Sequence, residues 1–123
     1  MQKVLLVEDE KDLRLILIKI LEKEGFKVEG VSRGKDAIKK LNNQIWQAVV
    51  LDLKLPDMNG LEVLRKTKKE IYSPPQVIII SAYGSSQVRR EAKELGCFAF
   101  LDKPFRIKRF LQLIREAIKK ERR

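Results

Sequence analysis

Histidine is absent from this chain of 123 residues, and cysteine occurs once, as Cys97. The lack of histidine disfavours a zinc site and acid–base chemistry by an imidazole. One cysteine cannot form an intramolecular disulfide, which is typical of a reducing compartment, so we expect a cytoplasmic location. A lone cysteine of this kind is most often a small buried side chain.

Long apolar runs are absent as well. No stretch approaches the roughly 20 apolar residues that a membrane-spanning helix needs. The first apolar segment begins directly after Met1-Gln2-Lys3, without the pattern of a signal peptide. We therefore expect no membrane partner. With 44% apolar residues, residues 1–123 are expected to form a single domain with its own core.

Negative charge is scarce relative to positive charge, and the net charge is +10. The excess is concentrated in residues 103–123, which include nine basic and two acidic side chains. Such a bias can attract acidic partners, phosphates or nucleic acid, although a solvated helix face has the same composition. No Gly-rich basic loop or interleaved aromatic pattern accompanies the charges, so we do not expect direct nucleic-acid binding.

Five short apolar segments alternate with five amphipathic segments, which predicts an α/β fold with a parallel sheet between two layers of helices. The predicted strands are Lys3–Val7, Lys27–Val31, Ala48–Asp52, Gln76–Ile80 and Phe98–Leu101. The predicted helices lie near Lys11–Glu24, Lys35–Asn42, from the N-cap Asn59 onward with Glu62 as its capping-box partner, Ser85–Leu95 and Ile107–Glu121.

Two of the helices carry informative apolar faces. The first helix has a core-facing stripe at helical spacing, and two further aliphatic side chains, Leu15 and Ile18, fall on its opposite side. The fourth helix offers only Val88, Ala92 and Leu95, so it should be weakly anchored and easy to move. The stripe of the first helix consists of Leu13, Ile16, Leu17, Ile20 and Leu21.

The residues that follow the predicted strands carry charges or a hydroxyl group. They are Glu8, Asp9, Asp52, Ser81 and Lys103. In a parallel sheet the carboxyl ends of all strands meet at one edge, where open α/β folds bind their ligands. Three carboxylates crowded together repel one another and need a cation. Each residue also has an ordinary explanation, such as acidic side chains that open a helix, but the joint convergence favours a site.

Four segments of the chain resemble a bacterial response-regulator receiver domain. They are residues 4–10 (VLLVEDE), 49–60 (VVLDLKLPDMNG), 79–84 (IISAYG) and 100–105 (FLDKPF), in the family's order and spacing. The resemblance implies a flavodoxin-like, doubly wound (βα)5 fold with a five-stranded parallel sheet in the order 2-1-3-4-5. It covers nearly the whole chain.

The resemblance also implies a magnesium-dependent phosphorylation site. Asp52 matches the phosphoacceptor, and Asp9, Asp52 and the backbone carbonyl of Lys54 match the Mg²⁺ ligands. Glu8 stands where the family usually has Asp, and it would reach the metal through water. Ser81 and Lys103 match the residues that contact the phosphoryl group.

A switch follows from the same resemblance. The donor would be a phosphohistidine of a sensor histidine kinase or of a histidine phosphotransfer protein. Ser81 and the aromatic switch residue Phe100 would then change the face formed by the fourth helix, the fifth strand and the fifth helix. That face would bind a downstream effector or an output domain missing from this sequence. The Lys103–Pro104 bond matches a cis peptide of the family. The chain is thus expected to be a phosphoacceptor switch and not a turnover enzyme.

Two further expectations concern this chain's own side chains. Lys54 and Tyr83 each lie two residues after a site residue, beside the path of the hydrolytic water in the family, so we expect a long-lived phosphorylated form. Basic residues should make the output face attractive to an acidic partner. They are Arg89, Arg90, Lys93, Arg106, Lys108 and Arg109.

Other readings stay open at this point. A phosphatase of the haloacid-dehalogenase type also uses an Asp nucleophile after a strand. That family has a second Asp two residues later, where this chain has Lys54. A basic nucleic-acid-binding domain would not explain the carboxylates. A degenerate receiver that works without phosphorylation, or a receiver excised from a longer transcriptional regulator, would carry the same sequence pattern.

Overall fold

Five parallel strands form the central sheet of the protein. The structure is a computed structural model and describes residues 2–121. The strands run in the order β2-β1-β3-β4-β5, and five helices alternate with them along the chain. The strands are β1 (Lys3–Val7), β2 (Lys27–Val31), β3 (Ala48–Asp52), β4 (Gln76–Ser81) and β5 (Ala99–Asp102). The helices are α1 (Lys11–Lys23), α2 (Gly34–Asn43), α3 (Gly60–Glu70), α4 (Ser86–Glu94) and α5 (Ile107–Glu121).

This architecture confirms the predicted fold class and strand order. Where the observed bounds differ from the predicted ones, they differ by one residue. Among residues 2–121, no helix is both long and apolar enough to cross a lipid bilayer.

Alternate residues of the central strands feed two separate hydrophobic cores. Leu6 and Val50 pack in the core under α1 and α5, together with Phe110. Leu5 and Val49 pack in the core under α2, α3 and α4. Every residue of β3 is buried, as expected for a central parallel strand covered on both faces. The two cores determine which face of the sheet each strand side chain occupies. They thereby also determine the direction of the side chain at the end of each strand.

Helix α1 packs differently from the prediction. Leu17 and Leu21 are buried as expected, but Ile16 is 52% exposed and therefore does not belong to the core-facing stripe. Ile18 was predicted to point away from the core, yet it is half-buried and packs against it. It lies over the edge strand β2, where Gly30 has no side chain to keep it away. The exposed apolar pair of α1 is therefore Leu15 and Ile16.

The start of α3 confirms one capping prediction and corrects another. The Asn59 side chain accepts a hydrogen bond from the Leu61 N–H at 2.9 Å, so Asn59 is the N-cap. Glu62 does not complete the predicted capping box, because its carboxylate pairs with Arg65 at 2.6 Å. The Glu62 carboxylate thus forms an ion pair with Arg65, one turn further along the helix, instead of a hydrogen bond back to the backbone N–H of the N-cap residue.

Helix α4 is anchored as weakly as its sequence predicts. Ala92 is its one fully buried residue, and Val88 and Leu95 are only half-buried. Both pack against the core under α2, α3 and α4. A helix that buries so little apolar surface gains little from packing, so it can shift at a low free-energy cost.

Candidate functional site

The strand register brings three of the predicted site residues to one edge of the sheet. The paired positions of β1 and β3 run up to Val7 and Leu51, so Glu8 and Asp52 follow at neighbouring strand ends. Ser81 ends β4, the neighbour of β3 on its other side. Glu8, Asp52 and Ser81 are all buried, with exposed fractions of 1%, 6% and 3%. Polar side chains this deeply buried require partners.

Lys103 supplies the partner for both carboxylates. It follows β5, and its Nζ lies 2.7 Å from Glu8 Oε1 and 2.8 Å from Asp52 Oδ2. The Lys103–Pro104 peptide bond is cis, as the resemblance implied. Two buried carboxylates side by side would be strongly unfavourable without a compensating charge. The ammonium group thus offsets part of the negative charge of the two carboxylates.

The pKa values of the site reflect this arrangement. Burial raises the pKa of the Glu8 carboxyl, and the nearby charge of Asp52 adds to the effect, while Lys103 and the Glu10 N–H oppose it. Burial also disfavours the charged form of Lys103, but its hydrogen bonds to Asp52 and Glu8 outweigh burial and raise its pKa. Lys103 is therefore a fixed positive charge at neutral pH.

All four oxygens of the two buried carboxylates accept hydrogen bonds. Besides the contacts to Lys103, Glu8 Oε2 accepts from the Glu10 N–H at 2.9 Å. Asp52 Oδ1 accepts from the Lys54 N–H at 3.1 Å. The turn after each strand therefore orients the carboxylate at that strand's end. Arg14, which the sequence did not single out, holds the first turn by donating to the carbonyl of Glu8 at 2.9 Å.

The carboxylates open into a cleft of about 220 Å³. Asp9 is exposed. The cleft is lined by Glu8, Asp9, Glu10, Asp52, Lys54, Ala82, Tyr83 and Lys103. Carboxylate oxygens are the ligands that Mg²⁺ prefers, so the chemistry of the donor set fits this ion. In the described part of the chain, however, no three His, Cys, Asp or Glu side chains are already arranged to hold a metal ion.

Lys54 and Tyr83 line one side of the cleft, and Ser81 lies next to it. The Ser81 hydroxyl accepts a hydrogen bond from the Tyr83 N–H at 3.0 Å, so its own proton remains available to a ligand. Ser81 lines an adjoining groove of about 560 Å³ and does not line the cleft itself. Lys54 Nζ lies 5.2 Å from the centroid of the Tyr83 ring, within the range of a cation–π contact.

Phe100 does not line the cleft, and Arg89, one of the residues predicted to make the output face basic, covers its ring. The Arg89 guanidinium stands 4.6 Å from the Phe100 ring centroid. Arg89 also pairs with Asp102 and donates to the Gly84 carbonyl at 3.2 Å. Its hydrogen bond lowers the pKa of Asp102. Arg89 therefore joins α4 to β5 through an ion pair, while its side chain stays 40% exposed on the face that was predicted to be basic.

A family model for the response regulator receiver domain matches residues 4–115. The chain belongs to this family. The receiver is 35% identical over 119 residues to sporulation initiation phosphotransferase F of Bacillus subtilis strain 168, and the alignment covers 97% of this chain and 92% of that protein. Other relatives are longer: the receiver spans 52% of one transcriptional regulatory protein and 25% of another. Receivers of this family are typically phosphoacceptors and not classical enzymes.

Solved receivers share the fold over nearly the whole chain. A CheY-like receiver from Methanospirillum hungatei JF-1 superposes with a TM-score of 0.95 at 27% identity, covering 99% of this chain and 97% of that one. The receiver domain of a sensor histidine kinase from Pseudomonas aeruginosa PAO1 has a TM-score of 0.86 at 24% identity, covering 96% and 98%. That structure contains a magnesium ion coordinated in its active site cleft.

Proposed function

We propose that this receiver accepts a phosphoryl group on Asp52 from a phosphohistidine of a sensor histidine kinase or a histidine phosphotransfer protein. The supporting observation is a buried Asp52 carboxylate beside an oxygen-lined cleft, with the Lys103 ammonium 2.8 Å away. One carboxylate oxygen of Asp52 forms a bond to phosphorus while the N–P bond of the donor breaks. The imidazole nitrogen of the donor keeps the electron pair. Since this chain has no histidine, the donor belongs to another protein.

The transfer depends on Mg²⁺ in this proposal. Asp9, Asp52 and the backbone carbonyl of Lys54 would hold the ion, and Glu8 would reach it through water. When bound, the ion would offset the repulsion between an anionic carboxylate and an anionic phosphoryl group. Support comes from the all-oxygen donor set and from the magnesium ion in the Pseudomonas receiver.

Lys103 and Ser81 would change partners when Asp52 is phosphorylated. Lys103 would exchange its hydrogen bond to the Asp52 carboxylate for one to a phosphoryl oxygen. Ser81 would donate its free hydroxyl proton to another phosphoryl oxygen while it still accepts from the Tyr83 N–H. The loop after β4 would move with Ser81, and Phe100 and the weakly packed helix α4 would follow.

The α4–β5–α5 face would carry the output. Its exposed basic side chains favour an acidic partner surface, which would belong to a downstream effector or to an output domain outside this sequence. Residues 1–123 would act as one receiver domain in the cytoplasm. The exposed basic residues are Arg90, Lys93, Arg106, Lys108 and Arg109.

The donor would dock on the other side of the cleft, against α1. Leu15 and Ile16 are 45% and 52% exposed and form an apolar spot close to the acidic turn that follows β1. Helices of a phosphotransfer protein could bury this spot while they present their phosphohistidine to the cleft.

Incubation with acetyl phosphate and Mg²⁺, followed by intact-mass analysis, tests the proposal. We expect wild type to gain one phosphoryl group, and Asp52→Ala and EDTA-treated wild type to gain none. Asp36→Ala removes an exposed carboxylate in the first turn of α2 and should behave as wild type. If folded wild type gained no adduct, the phosphoacceptor proposal would be wrong and a phosphorylation-independent receiver would be favoured.

A further inference from the structure

The loop between β3 and α3, residues 53–59, is closed at its base. The Gly60 N–H donates to the Leu53 carbonyl at 2.8 Å, and Lys54 forms an antiparallel bridge with Asn59. These contacts join the two ends of the loop to each other. They do not fix the tilt of its tip, which depends on contacts outside the loop.

Asp57 makes those outside contacts. Its Oδ1 accepts from the Gly34 N–H at 2.8 Å, and its Oδ2 accepts from the Lys35 N–H at 3.0 Å. Gly34 and Lys35 open α2, and N–H groups in a first helical turn have no partner within the helix. Arg33, at the N-cap position, makes no capping hydrogen bond with its side chain. Helix α2 is therefore capped by a residue from a different loop.

An apolar contact reinforces the same junction. Gly34 is buried under Met58, and a Cβ atom at Gly34 would lie 2.5 Å from Met58 Cγ. A side chain at position 34 would force the Met58 side chain to move, so glycine lets the first turn of α2 lie directly under it. The tip of the loop is thus held against α2 by two charge-assisted hydrogen bonds and by direct packing.

We propose that Asp57 is a positioning residue for phosphoryl transfer. By capping α2 it ties the loop to the body of the domain, and the tied loop holds the Lys54 backbone, whose N–H orients the Asp52 carboxylate. Asp57 is exposed and does not line the cleft, so it acts through the loop and not on the reacting atoms. This inference rests on the proposed function.

Asp57 could instead serve only to stabilise α2, and a second-site change separates the two roles. Residue 33 has an extended backbone, with φ −129° and ψ 148°, so serine at this position would cap α2 locally. The variants are Asp57→Ala, Asp57→Ala with Arg33→Ser, and Arg33→Ser alone as the matched control. The double variant restores the cap and leaves the loop untied.

Amide hydrogen exchange of the unphosphorylated variants gives the first readout. In the double variant we expect the Lys54 and Gly60 amides to exchange at least about fivefold faster than in Arg33→Ser. The Phe98 N–H, which donates to Val77 across the sheet, should be unaffected because the fold is intact. Equal exchange rates at Lys54 and Gly60 in the double variant and the control would show that Asp57 does not hold the loop in place.

The rate of phosphorylation by acetyl phosphate gives the second readout. We expect the double variant to react on the order of tenfold more slowly than Arg33→Ser at saturating Mg²⁺, because small misplacements of reacting groups are costly. If the loop exchanges faster but the rate is unchanged, the positioning role is wrong. If no variant and not even wild type is phosphorylated, the proposed function fails, while the exchange data still decide whether Asp57 clamps the loop.

Discussion

Lys103 shows how one residue acquires its role from the sheet. In sequence it is a lysine that follows a predicted strand and precedes a proline, and its charge alone does not distinguish it from the other basic residues of the chain. The order of β3, β4 and β5 brings its ammonium to both buried carboxylates, at 2.7 and 2.8 Å. The strong interaction arises because all three groups are shielded from water, where opposite charges attract more strongly than at a surface.

The contact between Lys54 and Tyr83 leads to a prediction about the lifetime of the phosphorylated form. The pair lies beside the cleft, and a cation–π contact holds it there. Such a contact is worth about 0.5–1 kcal/mol at exposed sites, which corresponds to a factor of roughly 2–5 in a rate. We expect the double variant Lys54→Ala/Tyr83→Ala to lose its phosphoryl group about that much faster, measured by intact mass over time.

A matched control for this measurement is Lys35→Ala/Tyr72→Ala. Tyr72 is 98% exposed, and neither residue lines the cleft. This variant removes the same two side-chain types and should keep the lifetime of wild type. Equal lifetimes for both double variants would show that the Lys54–Tyr83 pair does not protect the phosphoryl group.

Asp57 should make stability depend on pH in the acid range. Hydrogen bonds from the Lys35 N–H and, more weakly, the Gly34 N–H lower its pKa from the ordinary value of 3.8, and the charge of Arg33 adds to this. A carboxyl whose pKa is lower in the folded state stabilises the protein above its unfolded pKa. That stabilisation is lost as the pH falls through the folded value.

The measurement compares the melting temperatures of wild type and Asp57→Asn from neutral pH downward. We expect a constant advantage of wild type above about pH 5 that shrinks below about pH 4. The control is Asp36→Asn, which changes a carboxylate in the first turn of α2, the turn that Asp57 caps. The difference in melting temperature between wild type and this control should not shrink in the same way. An advantage of wild type that stayed constant below roughly pH 3 would contradict the assignment of the effect to Asp57 ionisation.

At the scale of whole elements, the sequence predicted what depends on local pattern. Apolar runs located all five strands, and strand ends then identified Glu8, Asp52 and Ser81 as neighbours. The sequence did not predict the orientation of side chains that depends on packing against a second element. Ile16 was predicted to face the core and Ile18 to point away from it. Instead Ile16 is exposed and Ile18 packs against the core, because α1 leans over β2 at Gly30. No spacing rule for a single helix contains that information.

The connection between α4 and β5 was unpredictable for the same reason. Arg89 and Asp102 are 13 positions apart, and only the packed structure brings them together over Phe100. An exposed arginine in a basic helix is ordinarily a solvated charge. Here it joins the most weakly packed helix to the strand that carries the predicted switch residue, so it should hold both in the unphosphorylated arrangement.

Arg89→Ala should therefore loosen α4 without unfolding the domain. We expect amide exchange within α4 to become at least about twofold faster, and Phe100 ring signals in NMR spectra to broaden or shift. Lys93→Ala removes an exposed basic side chain from the same helix and should leave both observables unchanged. If the two variants behaved alike, Arg89 would not be what restrains α4 and Phe100.

The charge of the whole molecule is divided between two surfaces. The acidic cleft gathers carboxylates at the carboxyl edge of the sheet, while the exposed basic residues of α4 and α5 lie on the proposed output face. A net charge of +10 attracts any polyanion, but only an uneven distribution selects one face for it. Partner binding at the output face should therefore depend on which positive charges are removed and not only on how many.

A polyglutamate peptide is a suitable probe of this distribution. We expect Lys108→Glu/Arg109→Glu, on α5, to weaken its binding several-fold more than Lys19→Glu/Lys23→Glu, on α1, although both changes alter the net charge equally. Binding to wild type should also fall steeply with salt, because the screening length drops from about 10 Å at 0.1 M to about 3 Å at 1 M. Titrations at low and high salt measure both effects. Equal losses for the two charge reversals would show that the peptide responds to net charge alone, and the output face would then need another basis for recognition than its basic side chains.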